Sequence, residues 1–253
     1  ILNIDLDHVD YFKDIDDVVL AYQEYANKAT KKVIACGDDD NVWKMNLNKE
    51  AIYFGLDEKN NVRATNIEYT VDGTKFDVLV DNEPYGNFTL PIYGNHQLLD
   101  SLAVISICYL ENISQEEVLK YFKSFTGAKR RFTETVVGNN IIIDDYAHHP
   151  NEVKSTINAI KQKYPGKKII SIFQPHTFSR TKEFASDLAK VLSETDYAYI
   201  MDIHPARESQ DDFSDVTNKI IIDKMKNGYS LTVNDAMVLN QYDDAVFIFM
   251  SPN

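Results

Sequence analysis

The sequence predicts an α/β protein: a mostly parallel sheet covered by helices in the second half, preceded by a smaller α/β unit whose strands are partly antiparallel. Three observations carry this. From about residue 140 onward, continuous apolar runs (IIIDD, KKIISIF, YAYIMDI, AVFIFM) alternate with amphipathic stretches, as parallel strands buried on both faces require. Earlier runs rich in branched and aromatic residues are separated by the turn-formers GDDD, VDGT and DNEPYG, which suits short strands joined by tight turns. Finally, 253 residues of 44% hydrophobic composition can bury a sizeable core, with length enough for two domains.

The elements follow in order. ILNID reads as the end of a buried strand, and over residues 16–26 the apolar Val18, Val19, Leu20, Tyr22 and Tyr25 recur at helical spacing behind an acidic first turn. Strands are expected in KVIAC, AIYFG, VRATNIEYTV, KFDVLV and NFTLPIY. A helix over 96–110 is apolar nearly all round and therefore expected to be buried. A second, over 115–125, opens on Ser114 with Glu117 as a capping box. After a hairpin in TETVVGNNIII come helices over 151–163, 182–193 and 215–226, alternating with KKIISIF, YAYIMDI and a short strand near 230–233 before AVFIFM. The change of pattern puts a domain boundary near Phe132, dividing 1–131 from 132–253.

A formal charge of -13 argues against nucleic acid as a partner, so an anionic ligand must meet a local basic patch. Cys36 and Cys108 lie inside apolar runs and read as reduced, structural thiols. No run approaches the ~20 apolar residues that span a bilayer and no signal segment opens the chain, which gives the expectation of a cytoplasmic protein without a membrane partner. Beginning at Ile1 and stopping just after an apolar run, the sequence is expected to be a fragment.

Ligands of an open parallel sheet gather at the carboxyl ends of its strands. There IIIDD runs into DDYAHHP, KKIISIF into QPHTFSRT and YAYIMDI into HPARE. Three successive strand ends thus offer Asp144, Asp145, His148 and His149, then Gln174, His176 and Arg180, then His204, Arg207 and Glu208. This local reversal of charge suits an anionic substrate or a transferring phosphoryl group. Plainer roles stand beside that one: either imidazole could cap the helix that Pro150 begins, the aspartates could satisfy loop amides, and Arg180 could be solvated. The rim could also be a non-catalytic anion-binding module, or DDYAHH the ligand set of a metal-dependent hydrolase. GAKRRF offers Arg131 as a bidentate phosphate contact or a solvated linker. His8, among Asp5, Asp7 and Asp10, has surroundings that suit Mg2+.

NIDLDHVDYF, GNHQLLDSLAV, GAKRRF, DDYAHHPNEV and FQPHTFSRT, in this order, resemble the Mur ligase family, and within it the members that join L-alanine to UDP-N-acetylmuramate. The resemblance implies an amino-terminal UDP-sugar domain, a central α/β ATPase domain of which 1–131 would be the remaining part, and a Rossmann-like carboxy-terminal domain. It implies ATP and Mg2+, with the lactyl carboxylate phosphorylated before the amine attacks. By similarity His8 would ligate Mg2+, the helix containing His96 and Asp100 would lie beside the adenine, and Arg131 and Asp145 would hold nucleotide phosphate and ribose. His148 and Arg180 would face the alanine and the acyl phosphate, with hinge motion near residues 129–131. The chain departs from the family where Gln97 and Asp100 replace asparagines and Thr177 replaces a second arginine. It also contains no GxxxxGK[ST] phosphate loop, so these residues alone are expected to be inactive.

Overall fold

The computed structural model describes residues 1–125 and 128–252. They form two compact units, Ile1–Phe125 and Thr126–Asn253, each with its own sheet.

In the first unit, strands β1 (Val33–Cys36), β2 (Ala51–Gly55), β3 (Val62–Thr70), β4 (Gly73–Val80) and β5 (Glu83–Leu90) lie side by side in chain order. The first three are parallel and β3, β4 and β5 antiparallel. The ILNID run forms no regular strand but lies along β1, with the Ile1 ammonium donating to Ile34 O at 2.7 Å and Cys36 N donating to Ile1 O at 2.9 Å. Helix α1 (Ile15–Ala26) is capped by the Asp14 carboxylate, which accepts from the amides of Asp16 and Asp17, and it buries Val18 and Val19.

DNEPYG proves shorter as a turn than expected. The β4–β5 turn is Asp81 and Asn82 alone, with φ of 49° and 69°, the left-handed pair that a tight hairpin demands. Pro84 enters β5 beside a register irregularity, where its missing N–H is tolerated. Gly73 starts β4 at φ 135°, and a Cβ there would lie 2.2 Å from Leu90 O, so no side chain fits. Helix α2 (Gly94–Leu110) packs Leu98, Leu102 and Ile105 against the sheet. It is not buried all round, because Val104, Ile107 and Tyr109 remain 44–49% exposed. Helix α3 (Gln115–Ser124) covers β5 and is capped by Ser114 Oγ, which accepts from Glu117 N at 3.3 Å.

In the second unit the sheet order is β10-β9-β8-β11-β7-β6, where β6 is Thr133–Val137, β7 Asn140–Asp145, β8 Lys168–Phe173, β9 Tyr197–Ile200, β10 Gly228–Ser230 and β11 Ala245–Met250. All pairs are parallel except β6 with β7. One face packs α4 (Pro150–Lys163), α5 (Phe178–Leu192) and α6 (Lys219–Ile222) on Ile143, Ile169, Phe173 and Ile248. The other face buries Ile170, Ile172 and Phe247 beneath Leu231, Leu239 and Tyr242, so β8 is apolar throughout because both faces are covered.

Three expectations differ here. β11 separates β7 from β8, so the strands carrying the first two rim loops are not neighbours. Helix α5 begins four residues before the expected 182, at Phe178, and the helix expected over 215–226 is the short α6 alone. Among the described residues no helix is long and apolar enough to cross a membrane.

Candidate active site

Because β7, β8, β9 and β11 are parallel, their carboxyl ends share one edge. Backbone bonds tie that edge together: Gln174 N donates to Met250 O (3.0 Å), His204 N to Pro175 O (2.8 Å) and Ser251 N to Asp145 O (3.2 Å).

At the end of β7 the two histidines have different duties. Pro150 occupies the first helical position of α4, and buried His149 is the cap, its Nδ1 accepting from Asn151 N at 3.3 Å and its ring edge-on to Phe184. The Glu152 carboxylate accepts from His148 N and His149 N at 3.0 and 3.2 Å. His148 is thereby left to the rim. Its Nδ1 lies 2.9 Å from Tyr146 O, and since a carbonyl only accepts, Nδ1 carries a proton, which in the neutral ring leaves the lone pair on Nε2.

Asp145 is buried and accepts from Phe132 N and Ala147 N, each at 2.8 Å. Burial pushes its carboxyl above the usual range, against those two amides and the Arg131 charge, which pull it down. Asp145 therefore satisfies loop amides, and in doing so it anchors the basic segment. Arg130 donates to Ser251 O at 2.7 Å, and the Arg131 guanidinium lies 5.0 Å from the centre of the Tyr146 ring and 3.7 Å from Glu152 Oε1. Gly127 of GAKRRF lies outside the described residues.

At the end of β8, Arg180 is only 7% exposed and sits in the first turn of α5, with Thr177 at the cap position. Its Nη1 donates to His176 O at 2.7 Å and lies 3.2 Å from His176 Nδ1. The three loops meet in a row of imidazoles: His148 and His176 are edge-on at 6.1 Å, and His176 and His204 are stacked at 5.4 Å with planes 10° apart. Burial, followed by Arg180 and the flanking histidines, lowers the His176 pKa from 6.5, opposed by Glu208. Glu208 accepts from Ser179 N at 3.0 Å and also from its hydroxyl, joining the β9 loop to α5.

Arg131, Asp145, His148 and Arg180 thus lie on or beneath one rim. His8, His96 and Asp100 belong to the first unit, His8 before α1 and the other two on α2. The His8 side chain is 63% exposed, with Asp7 Oδ2 3.9 Å from its Nε2. Two such groups leave most of a coordination shell to water and phosphate, which Mg2+ accepts. Among the described residues no three His, Cys, Asp or Glu side chains converge on a common point, and within DDYAHH Asp145 is engaged with loop amides and His149 with the start of α4. His96 Nδ1 is enclosed without a hydrogen-bond partner among the described residues, and burial lowers this imidazole's pKa from 6.5 to about 4. An orphaned ring nitrogen of this kind suits a nucleobase contact. Asp100, one turn along α2, is exposed. Sequence reasoning passed over Tyr146 and Glu152 as site components. The signals were an aromatic between the basic segment and the histidines, and an acid at the third helical position.

Profile comparison matches the Mur ligase middle domain to residues 1–108 and the Mur ligase glutamate ligase domain to residues 130–249. Among solved structures, a UDP-N-acetylmuramate-alanine ligase from Thermotoga maritima superposes with a TM-score of 0.77 at 22% identity, covering 100% of this chain and 55% of that one. MurF from Acinetobacter baumannii gives 0.77 at 20% identity, with 99% and 56% covered. MurF from Thermotoga maritima, solved in complex with ADP, gives 0.74 at 17% identity, with 98% and 57% covered. At these identities the likeness is one of fold, and the chain spans a little over half the length of each.

Proposed function

Because the chain belongs to the Mur ligase family, we propose that it serves the ATP-dependent joining of L-alanine to UDP-N-acetylmuramate through an acyl phosphate. The observation that carries this reading is the rim of the second unit, where His148, His176, Arg180 and Arg131 form a cationic and imidazole-lined edge in a protein of net charge -13. The choice of amino acid rests on the ordered segments DDYAHHPNEV and FQPHTFSRT, which resemble the alanine-joining members of the family.

The chemistry assigns each group a task. ATP phosphorylates the lactyl carboxylate, turning it into a carbonyl with phosphate as leaving group. The alanine nitrogen then attacks that carbon: the C–N bond forms, the bond from carbon to the phosphate oxygen breaks, and the proton shed by nitrogen passes to Nε2 of His148. Arg180, held by His176, and Arg131, steadied on Tyr146, offset negative charge as the tetrahedral centre develops. Asp145 keeps Arg131 in place through the Phe132 amide, and its placement beside the nucleotide ribose is part of the same reading. In the first unit, His96 and Asp100 would contact the adenine, and His8 with Asp7 would hold Mg2+. When bound, the metal neutralises phosphate charge.

The test is ADP release from ATP and Mg2+ in the presence of UDP-N-acetylmuramate and L-alanine, run with these 253 residues alone and with the same residues joined to an amino-terminal segment that carries a UDP-sugar domain and a phosphate loop. Ligation is expected only in the second case, and Arg180→Lys should lower its kcat/KM about 100-fold or more by losing the planar fork. Turnover indifferent to L-alanine, or unchanged in Arg180→Lys, would overturn the assignment.

A further inference from the structure

We propose that His176 is a neutral hydrogen-bond donor to an anionic oxygen at this rim, held by Arg180 in the tautomer opposite to that of His148. Two adjacent imidazoles then divide donor and acceptor work. The inference rests on the ligation reading only for the identity of the anion, a phosphoryl or carboxylate oxygen.

The two Nδ1 atoms face partners of opposite kinds. Arginine has donors and no acceptor, so with Arg180 Nη1 3.2 Å away, His176 Nδ1 has to present a lone pair. The same Nη1 donates to His176 O at 2.7 Å, so its two hydrogens both go to this one residue and fix ring and backbone together. A neutral imidazole that accepts at Nδ1 carries its proton at Nε2. Burial and the nearby Arg180 charge both disfavour a second proton. At His148 the logic inverts, because Nδ1 faces the Tyr146 carbonyl at 2.9 Å and must donate.

Both Nε2 atoms lack a hydrogen-bond partner among the described residues and neither is an enclosed orphan, so both keep some access to solvent. One offers a lone pair to a nitrogen losing its proton, the other an N–H to an oxygen gaining charge. His204, stacked on His176 at 5.4 Å and tied to the same loop through His204 N and Pro175 O, is a positioning residue that restrains the ring.

The test reads protons directly. Two-bond 1H–15N correlation spectra of the histidine-labelled chain at pH 7.5, assigned with His148→Gln and His176→Gln, should show His176 protonated at Nε2 and His148 at Nδ1. In Arg180→Met, with folding verified by the remaining spectrum, the His176 signals should move toward a tautomer mixture. Inorganic phosphate should shift the His176 Nε2–H resonance. His176→Gln, whose amide reaches the Nε2 position, should keep phosphate affinity within about 3-fold, and His176→Asn should lose about 10-fold or more. The same tautomer at both residues, a charged His176, or no response to phosphate overturns the proposal. Ligation intact with His176 protonated at Nδ1 sinks this inference alone, whereas the expected tautomers without ligation sink only the assignment of the reaction.

Discussion

His96 has a titration that stability measurements can read. Its Nδ1 is enclosed with no partner among the described residues, and burial brings the folded pKa to about 4 against 6.5 in water. A lowered value means that the unfolded chain takes up the proton first, so stability is full above pH 6.5 and is lost as pH falls toward 4. Urea unfolding at pH 7.5 and 4.5 should show a His96-dependent loss on the order of 2–3 kcal/mol, removed in His96→Phe. A pH dependence unchanged in the variant would mean that the ring is solvated. Arg180 and the histidines were readable as rim residues because motif and strand end coincide. The split between His148 and His149 was not, since a capping imidazole and a rim imidazole differ only in which one the helix start turns inward.

The start of α4 holds together a cap, two loop amides and Arg131, all through Glu152. Glu152→Ala should therefore destabilise the second unit by about 1–2 kcal/mol, as lost caps do, and lower ligation further by releasing Arg131. A fall in activity with unchanged stability would separate the two duties. Other element boundaries were hidden for local reasons. Helix α5 begins at Phe178 behind Thr177, a cap-type residue that makes no side-chain cap bond, and with the start expected at 182 Arg180 reads as a loop residue. The stretch over 215–226 looks amphipathic, but Asn218 uses its side chain on Ile200 O and Ser230 Oγ, each at 3.2 Å. Three consecutive β-branched isoleucines, Ile220 to Ile222, then weaken propagation, and only one turn of helix survives.

Each unit buries a core of its own: Phe54, Phe76 and Leu102 in the first, Ile143, Ile157 and Ile248 in the second. Ile157 is fully enclosed, so Ile157→Ala should cost about 2–5 kcal/mol. Hydrogen exchange should register that cost in the amides of β7 and β11, while β3 and β4 keep their protection. Equal loss in both units would show a single cooperative core. The α/β class and the strands themselves are legible because apolar runs alternate with amphipathic ones. The order of the parallel strands is not, because a buried strand looks the same whichever neighbours flank it, and β11 between β7 and β8 could not be foreseen. That placement bears on synthesis. While the ribosome is still making Ala245–Met250, β7 and β8 have no shared partner, and Asp145 and Gln174 lack the backbone of Met250 and Ser251 that joins them. The β7 loop cannot join the β8 and β9 loops through β11 before residue 251 has left the exit tunnel, so a nascent chain halted short of it should be more open to protease around β7 than the completed chain.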